Sequence, residues 1–180
     1  MFDRMAEPWH SDAMTERDWR RFAVGAEVTG TVSAIPRPGA IGIFVDLDGA
    51  PGFVDVLSLP RQVGAWPSVG VTTTFEVLTR GPRQIRLWPL DPRFRSGPFG
   101  NGVPEHEWLA RKARYPEGAV LTAEVSDAYV SDGSYVVRYE GGWSFLEGDG
   151  EPPEVGARAD YEVVRHLDRT RRTLLRPAGT

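Results

Sequence analysis

The chain has 180 residues, 41% of them hydrophobic and 26% charged, with 20 glycines and 15 prolines, which suits a turn-rich globular protein of one large or two small domains. A net charge of −4 excludes a global positive field for gathering polyanions. The absence of cysteine excludes a disulfide scaffold, a thiol nucleophile and thiolate-bound zinc. No apolar run approaches the roughly 18 residues that cross a bilayer, and the opening MFDRMAEPWH lacks the apolar stretch of a signal peptide, so no membrane partner and a cytoplasmic location are expected.

Thr15 to Phe22 predicts a short helix, with a capping-type threonine, acids early and bases late. Period-two runs bounded by Gly and Pro then predict five short strands at 27–35, 41–47, 52–57, 72–79 and 83–87. Arg93 to Val103 is rich in Gly and Pro and reads as a linker, with Phe94 and Phe99 tucked against a barrel. A second helix follows over Pro104 to Arg114, with proline near its first turn. Five more strands are expected at 120–129, 134–139, 143–147, 157–166 and 172–175.

This order is an internal repeat. Gly25-Ala-Glu-Val-Thr-Gly-Thr-Val-Ser33 matches Gly118-Ala-Val-Leu-Thr-Ala-Glu-Val-Ser126 at five of nine positions. The stretch from Pro67 to Leu78 aligns with Pro153 to Val164, and both copies close on Leu-x-Pro, at Leu87 to Pro89 and Leu175 to Pro177. The expected fold is all-β: two tandem five-stranded barrels, each preceded by a short helix, over residues 1–92 and 104–180 with 93–103 between them.

The first copy resembles the S1 RNA-binding domain family of the OB-fold class. The residues that carry the resemblance are Val24 to Val32, Gly42-Ile-Phe-Val-Asp-Leu47, Gly52-Phe-Val-Asp-Val56, the Pro-x-Val-Gly at Pro67 to Gly70, and Gln84-Ile-Arg-Leu87. The second copy is similar only through the internal alignment, and the pair resembles small S1-like proteins of high-GC bacteria. The resemblance implies a strand face with two aromatics, a histidine and nearby bases. Phe44 matches the second aromatic, Ile41 stands at the first, and Asp55 stands at the histidine.

Alternation points Ile43, Val45 and Leu47 inward and Phe44 outward, where a ring is a stacking platform for a base. Arg37, Arg80, Arg83 and Arg86 are candidate phosphate contacts around the first barrel, against a reading as solvated charges that guard a hairpin edge. In the second copy Val136 takes the place of Phe44, and Arg165, Arg169, Arg171 and Arg172 form the most basic stretch. Tyr129, Tyr135, Tyr139, Trp143 and Phe145 read as barrel core or inter-barrel packing rather than as stacking residues. The three histidines, at 10, 106 and 166, have no metal-site or triad spacing, and no nucleotide-loop or nucleophile-elbow motif is present.

No cofactor, no metal and no catalytic activity are therefore expected. The leading partner is RNA or another single-stranded nucleic acid, held weakly and in a salt-sensitive way because only local patches supply charge. The alternative is a protein partner, with the barrels as an adaptor or a regulatory or immunity-type scaffold; Ile41, Asp55 and the acidic run Glu147 to Glu151 favour it.

Overall fold

The computed structural model describes residues 14–98, 100, 102–148 and 150–179. The expectations for His10 and Phe99 lie outside these residues. The chain divides into two compact units, Met1–Pro98 and Phe99–Thr180. Both carry a five-stranded antiparallel-rich sheet curled into a barrel, so the protein is nearly all-β and has the architecture of tandem OB-fold barrels.

The first unit opens with helix α1 (Glu16–Arg20) and continues through β1 (Glu27–Ala34), β2 (Gly42–Leu47), β3 (Ala50–Asp55), β4 (Thr72–Arg80) and β5 (Ile85–Pro89). The strands close in the order β1-β2-β3-β5-β4, with β4 pairing back to β1 and β5 running parallel to β3. Inward residues alternate along each strand as the pattern demands: Val32, Ile43, Val45, Leu47, Val54, Phe75, Val77, Ile85 and Leu87 fill one core. Between β3 and β4, Leu59 and Trp66 are buried, and the Trp66 indole donates to the Pro60 carbonyl at 2.7 Å. Such a buried N–H needs that partner.

Strand β3 ends earlier than the sequence suggests. The Asp55 carboxylate accepts from the Leu57 N–H at 2.9 Å and starts a 3-10 turn over Val56–Ser58. Residues 56 and 57 thereby leave the sheet, a side-chain effect that period-two patterning does not report.

In the second unit, helix α2 (Glu105–Arg114) precedes β6 (Val120–Ala128), β7 (Tyr135–Tyr139), β8 (Gly142–Leu146), β9 (Arg158–Leu167) and β10 (Arg172–Pro177). The ladder order β10-β9-β6-β7-β8 repeats that of the first unit, but no backbone ladder joins β8 to β10. The Ser144 hydroxyl bridges that gap by donating to the Thr173 carbonyl at 2.8 Å. The core holds Leu121, Ala123, Val125, Val137, Leu146, Val163 and Leu175 with Tyr135, Tyr139 and Tyr161. Burial raises the Tyr135 hydroxyl well above the usual phenol range, and the neighbouring Tyr161 hydroxyl adds to it.

Helix α2 is fastened by polar contacts. The Asp168 carboxylate accepts from Lys112 Nζ and from the Trp108 indole, both at 2.8 Å. These bonds, the lysine's first, hold its pKa below the ordinary carboxylate value. A carboxyl depressed in the folded state stabilises above its unfolded pKa of about 4, and that contribution fades as pH falls through the folded value. The Asp168 side chain is 70% exposed, so the effect is small. We expect the stability difference between the protein and D168A to be present at neutral pH and to shrink below about pH 4. Urea melts across that range check it, and a gap independent of pH would exclude the ionic contribution.

Candidate functional site

On the first barrel the order β2-β3-β5-β4 places one residue from each strand in a single row. Phe44 faces Phe53, Phe53 faces Arg86, and Arg86 faces Thr79. Phe44, Phe53 and Arg86 belong to the outward phase of their strands, because Ile43, Val54 and Ile85 point into the core, while a register shift between Val77 and Thr79 interrupts the alternation on β4. The Phe44 and Phe53 rings lie 5.2 Å apart with a 52° tilt. The Arg86 guanidinium sits over Phe53, 5.3 Å from its ring centroid. Phe53 is therefore only 7% exposed although it points outward, while Phe44 is partly open.

Arg86 also pairs with Asp55 at 3.5 Å, with both side chains about two-fifths open. A pair in that setting contributes about 0–1 kcal/mol. Its greater consequence is positional, since it keeps the guanidinium parked over Phe53. Asp55 thus has two tasks, capping the turn with one oxygen and pairing Arg86 with the other. Ile41 lies just before β2, exposed and without a π face; its carbonyl accepts from the Val56 N–H at 3.0 Å.

The remaining candidates fall into two groups. Arg37, in the β1–β2 loop, and Arg83, in the β4–β5 turn, are exposed. Arg80 is not a loose hairpin charge. Its guanidinium donates to the carbonyls of Arg20 and Phe22 at 2.6 and 2.8 Å and lies 5.8 Å over Trp19, pinning α1 to the barrel.

The basic hairpin of the second unit is also built into the scaffold. Arg171 donates to the Val103 carbonyl, Arg172 donates to the Thr170 hydroxyl at 3.1 Å, and the backbone carbonyl of Arg169 accepts from the Gly100 N–H at 2.7 Å. Arg165 and Arg169 have interactions of their own.

Phe53 is not among the candidates above, yet alternation with Val54 is enough to place it beside Phe44. Trp143 and Phe145 are not core residues of their barrel: they occupy the outward phase of β8, and Trp143 is 49% exposed. Tyr135 and Tyr139, by contrast, are buried as expected. Among the described residues, no group of acidic or histidine side chains is arranged to hold a metal ion, and no helix is long and apolar enough to cross a membrane.

No family model and no curated protein matches the chain. Among solved structures, it is similar to a multidomain protein with nucleic acid binding domains from Streptococcus pneumoniae, at 17% identity and a TM-score of 0.31, over 95% of this chain and 55% of that one. It is also similar to GSP13 from Bacillus subtilis, at 24% identity and a TM-score of 0.34, over 54% of this chain and 79% of that one. The chain thus spans about half the length of the streptococcal protein.

Proposed function

We propose that the protein is a non-catalytic, S1-like binding protein for RNA or other single-stranded nucleic acid, with residues 1–92 and 104–180 as its two OB modules. The observation that carries this reading is the row of Phe44, Phe53 and Arg86 across β2, β3 and β5. An outward ring packed at a tilt against a second ring that a guanidinium covers is a π surface held in place, and such surfaces bind bases without needing a sequence code. In OB barrels the face of the second and third strands, with the flanking β1–β2 and β4–β5 loops, is where oligonucleotides lie. Arg37 and Arg83 occupy those two loops.

The test is anisotropy of a labelled mixed-sequence RNA with the full chain at two salt concentrations. Phe44→Ala is expected to cost about 1–3 kcal/mol, with affinity falling as salt rises. No binding at about 50 mM salt, where phosphate contacts are strongest, would sink the reading.

Asp55→Asn keeps an oxygen for the Leu57 N–H but removes the negative charge and frees Arg86. We expect it to tighten RNA binding by up to about 1 kcal/mol, and to leave stability nearly unchanged. Weaker binding by this variant would show that the ion pair orders the site rather than competing with the ligand.

A protein partner is the second reading. It is favoured by Ile41, Leu57 and Val63, which are exposed apolar residues at the end of this face, Leu57 being 84% open. Recovery of a stoichiometric protein and no RNA on purification from the native host would favour it.

A further inference from the structure

The internal repeat provides its own comparison for the second barrel. In that unit Trp143 on β8 pairs with Arg138 on β7, Arg138 with Glu124 on β6, and Glu124 with Arg158 on β9. The same register positions of the first barrel hold Pro51, Asp46, Thr31 and Thr72. There the two threonine hydroxyls simply bond each other at 2.8 Å. The barrel geometry therefore does not require an aromatic or a cation in this row. The second unit has one exposed indole and two guanidiniums where the first has a proline, an acid and a threonine pair.

The row is open. Trp143 is 49% exposed, and Arg138, Glu124 and Arg158 are all exposed. Among the described residues, neither Arg138 nor Arg158 forms an ion pair, although Glu124 stands between them in register. A cleft of about 570 Å³ runs along this side of β6, lined by Thr122, Glu124, Arg138 and Arg158 together with Arg114 and its ion-pair partner Glu140. Neighbouring strands lie about 4.8 Å apart, so the indole and the farther arginine are separated by three strand spacings, on the order of 14 Å.

A half-exposed indole costs apolar surface in water unless it is used, and a partly exposed tryptophan beside arginines suits a flat, anionic, extended ligand. We propose that the outer face of β6 to β9 is a second single-stranded nucleic-acid site, in which Trp143 stacks a base and Arg138 and Arg158 contact backbone phosphates. Phe145, two residues along β8 on the same face, extends the stacking surface. Glu124 opposes the phosphates and limits the affinity. This site stands on its own residues and does not depend on Phe44.

The test uses the full chain carrying Phe44→Ala, which weakens the first face, and short labelled oligouridylate and oligothymidylate in anisotropy titrations at about 50 mM salt and above. Trp143→Ala is expected to weaken binding about ten- to hundredfold, and Trp143→Phe much less. Arg138→Gln and Arg158→Gln should each lower the salt slope by about one. Glu124→Gln should tighten binding, a change of sign that damage to the fold does not produce. Oligothymidylate bound as tightly as oligouridylate identifies the site as blind to the 2′-hydroxyl, and a preference for oligouridylate identifies an RNA site; both support the proposal.

Retention of binding in Trp143→Ala would overturn it. So would a neutral Glu124→Gln, or the absence of any oligonucleotide binding once Phe44 is removed. Binding of inorganic polyphosphate that ignores Trp143 and matches the oligonucleotides in strength would reduce the face to plain charge, and would overturn the stacking site.

Discussion

Gly42→Ala is expected to destabilise the first unit by about 2–4 kcal/mol, more than its size suggests. Gly42 starts β2 with φ near +139°, a conformation that side chains rarely adopt. A Cβ there would lie 2.1 Å from the Val54 carbonyl oxygen and 3.1 Å from the tip of the Phe53 ring. The carbonyl belongs to the strand that pairs with β2, so the clash cannot be relieved by turning a side chain. The ladder between Gly42 and Asp55 must open, and Phe53 must move with it.

Gly70→Ala is the control. That residue also has a positive φ, of 93°, but nothing lies within 4 Å of its would-be Cβ. It should lose only the conformational part, about 1–2 kcal/mol. Urea denaturation of both variants separates the two contributions, and equal losses would show that β2 and β3 separate at no cost. RNA titration of Gly42→Ala should also show weakened binding, since Phe44 and Phe53 sit on the two strands that are pushed apart.

Much of the fold was legible because the pattern is local. Ile43, Val45 and Leu47 alternate with Phe44 and Asp46, and turns rich in Gly and Pro bracket nearly every strand, so period and punctuation alone located the elements. The repeat added the order of the second barrel. What the sequence withheld depends on contacts between distant residues. Arg80 reads as a hairpin charge, yet its partners are carbonyls of Arg20 and Phe22, some sixty residues upstream. Arg171 likewise turns to Val103.

The site shows the same division. Alternation sets the direction of Phe44, but the covering of Phe53 by Arg86 requires the parallel pairing of β3 and β5, which no local pattern encodes. For Trp143 two signals differ: large aromatics are usually buried, whereas the phase of β8 places it beside Arg138 on the outside of its barrel. Glu76 shows the converse error that burial can make: it sits on the outward phase of β4 and is still 1% exposed.

Phe75→Ala should be the most damaging substitution of the series, at about 3–5 kcal/mol. Phe75 has no exposed surface and lies on β4, which pairs with both β1 and β5 and so closes the barrel. Most of its core is aliphatic and held on hydrogen-bonded strands, so those residues can collapse into the vacated space only by bending the barrel wall. The duplicated position in the second unit is Tyr161, and Ile43 and Leu47 likewise correspond to Tyr135 and Tyr139. The same three barrel positions have therefore been filled in two ways, once with hydrocarbon side chains and once with phenols.

Phe75→Tyr distinguishes volume from chemistry at this position. The ring would fit, but its hydroxyl would enter a core of hydrocarbon side chains, a cost of about 1–3 kcal/mol when no hydrogen bond forms. Tyr161→Phe should cost less, because it removes a hydroxyl without leaving a cavity the size of a ring. Chemical denaturation followed by near-ultraviolet circular dichroism measures all three variants. The expected order of loss is Phe75→Ala, then Phe75→Tyr, then Tyr161→Phe. A Phe75→Tyr protein as stable as the parent would mean that the first barrel already holds a polar partner for that hydroxyl, and that the two cores are interchangeable.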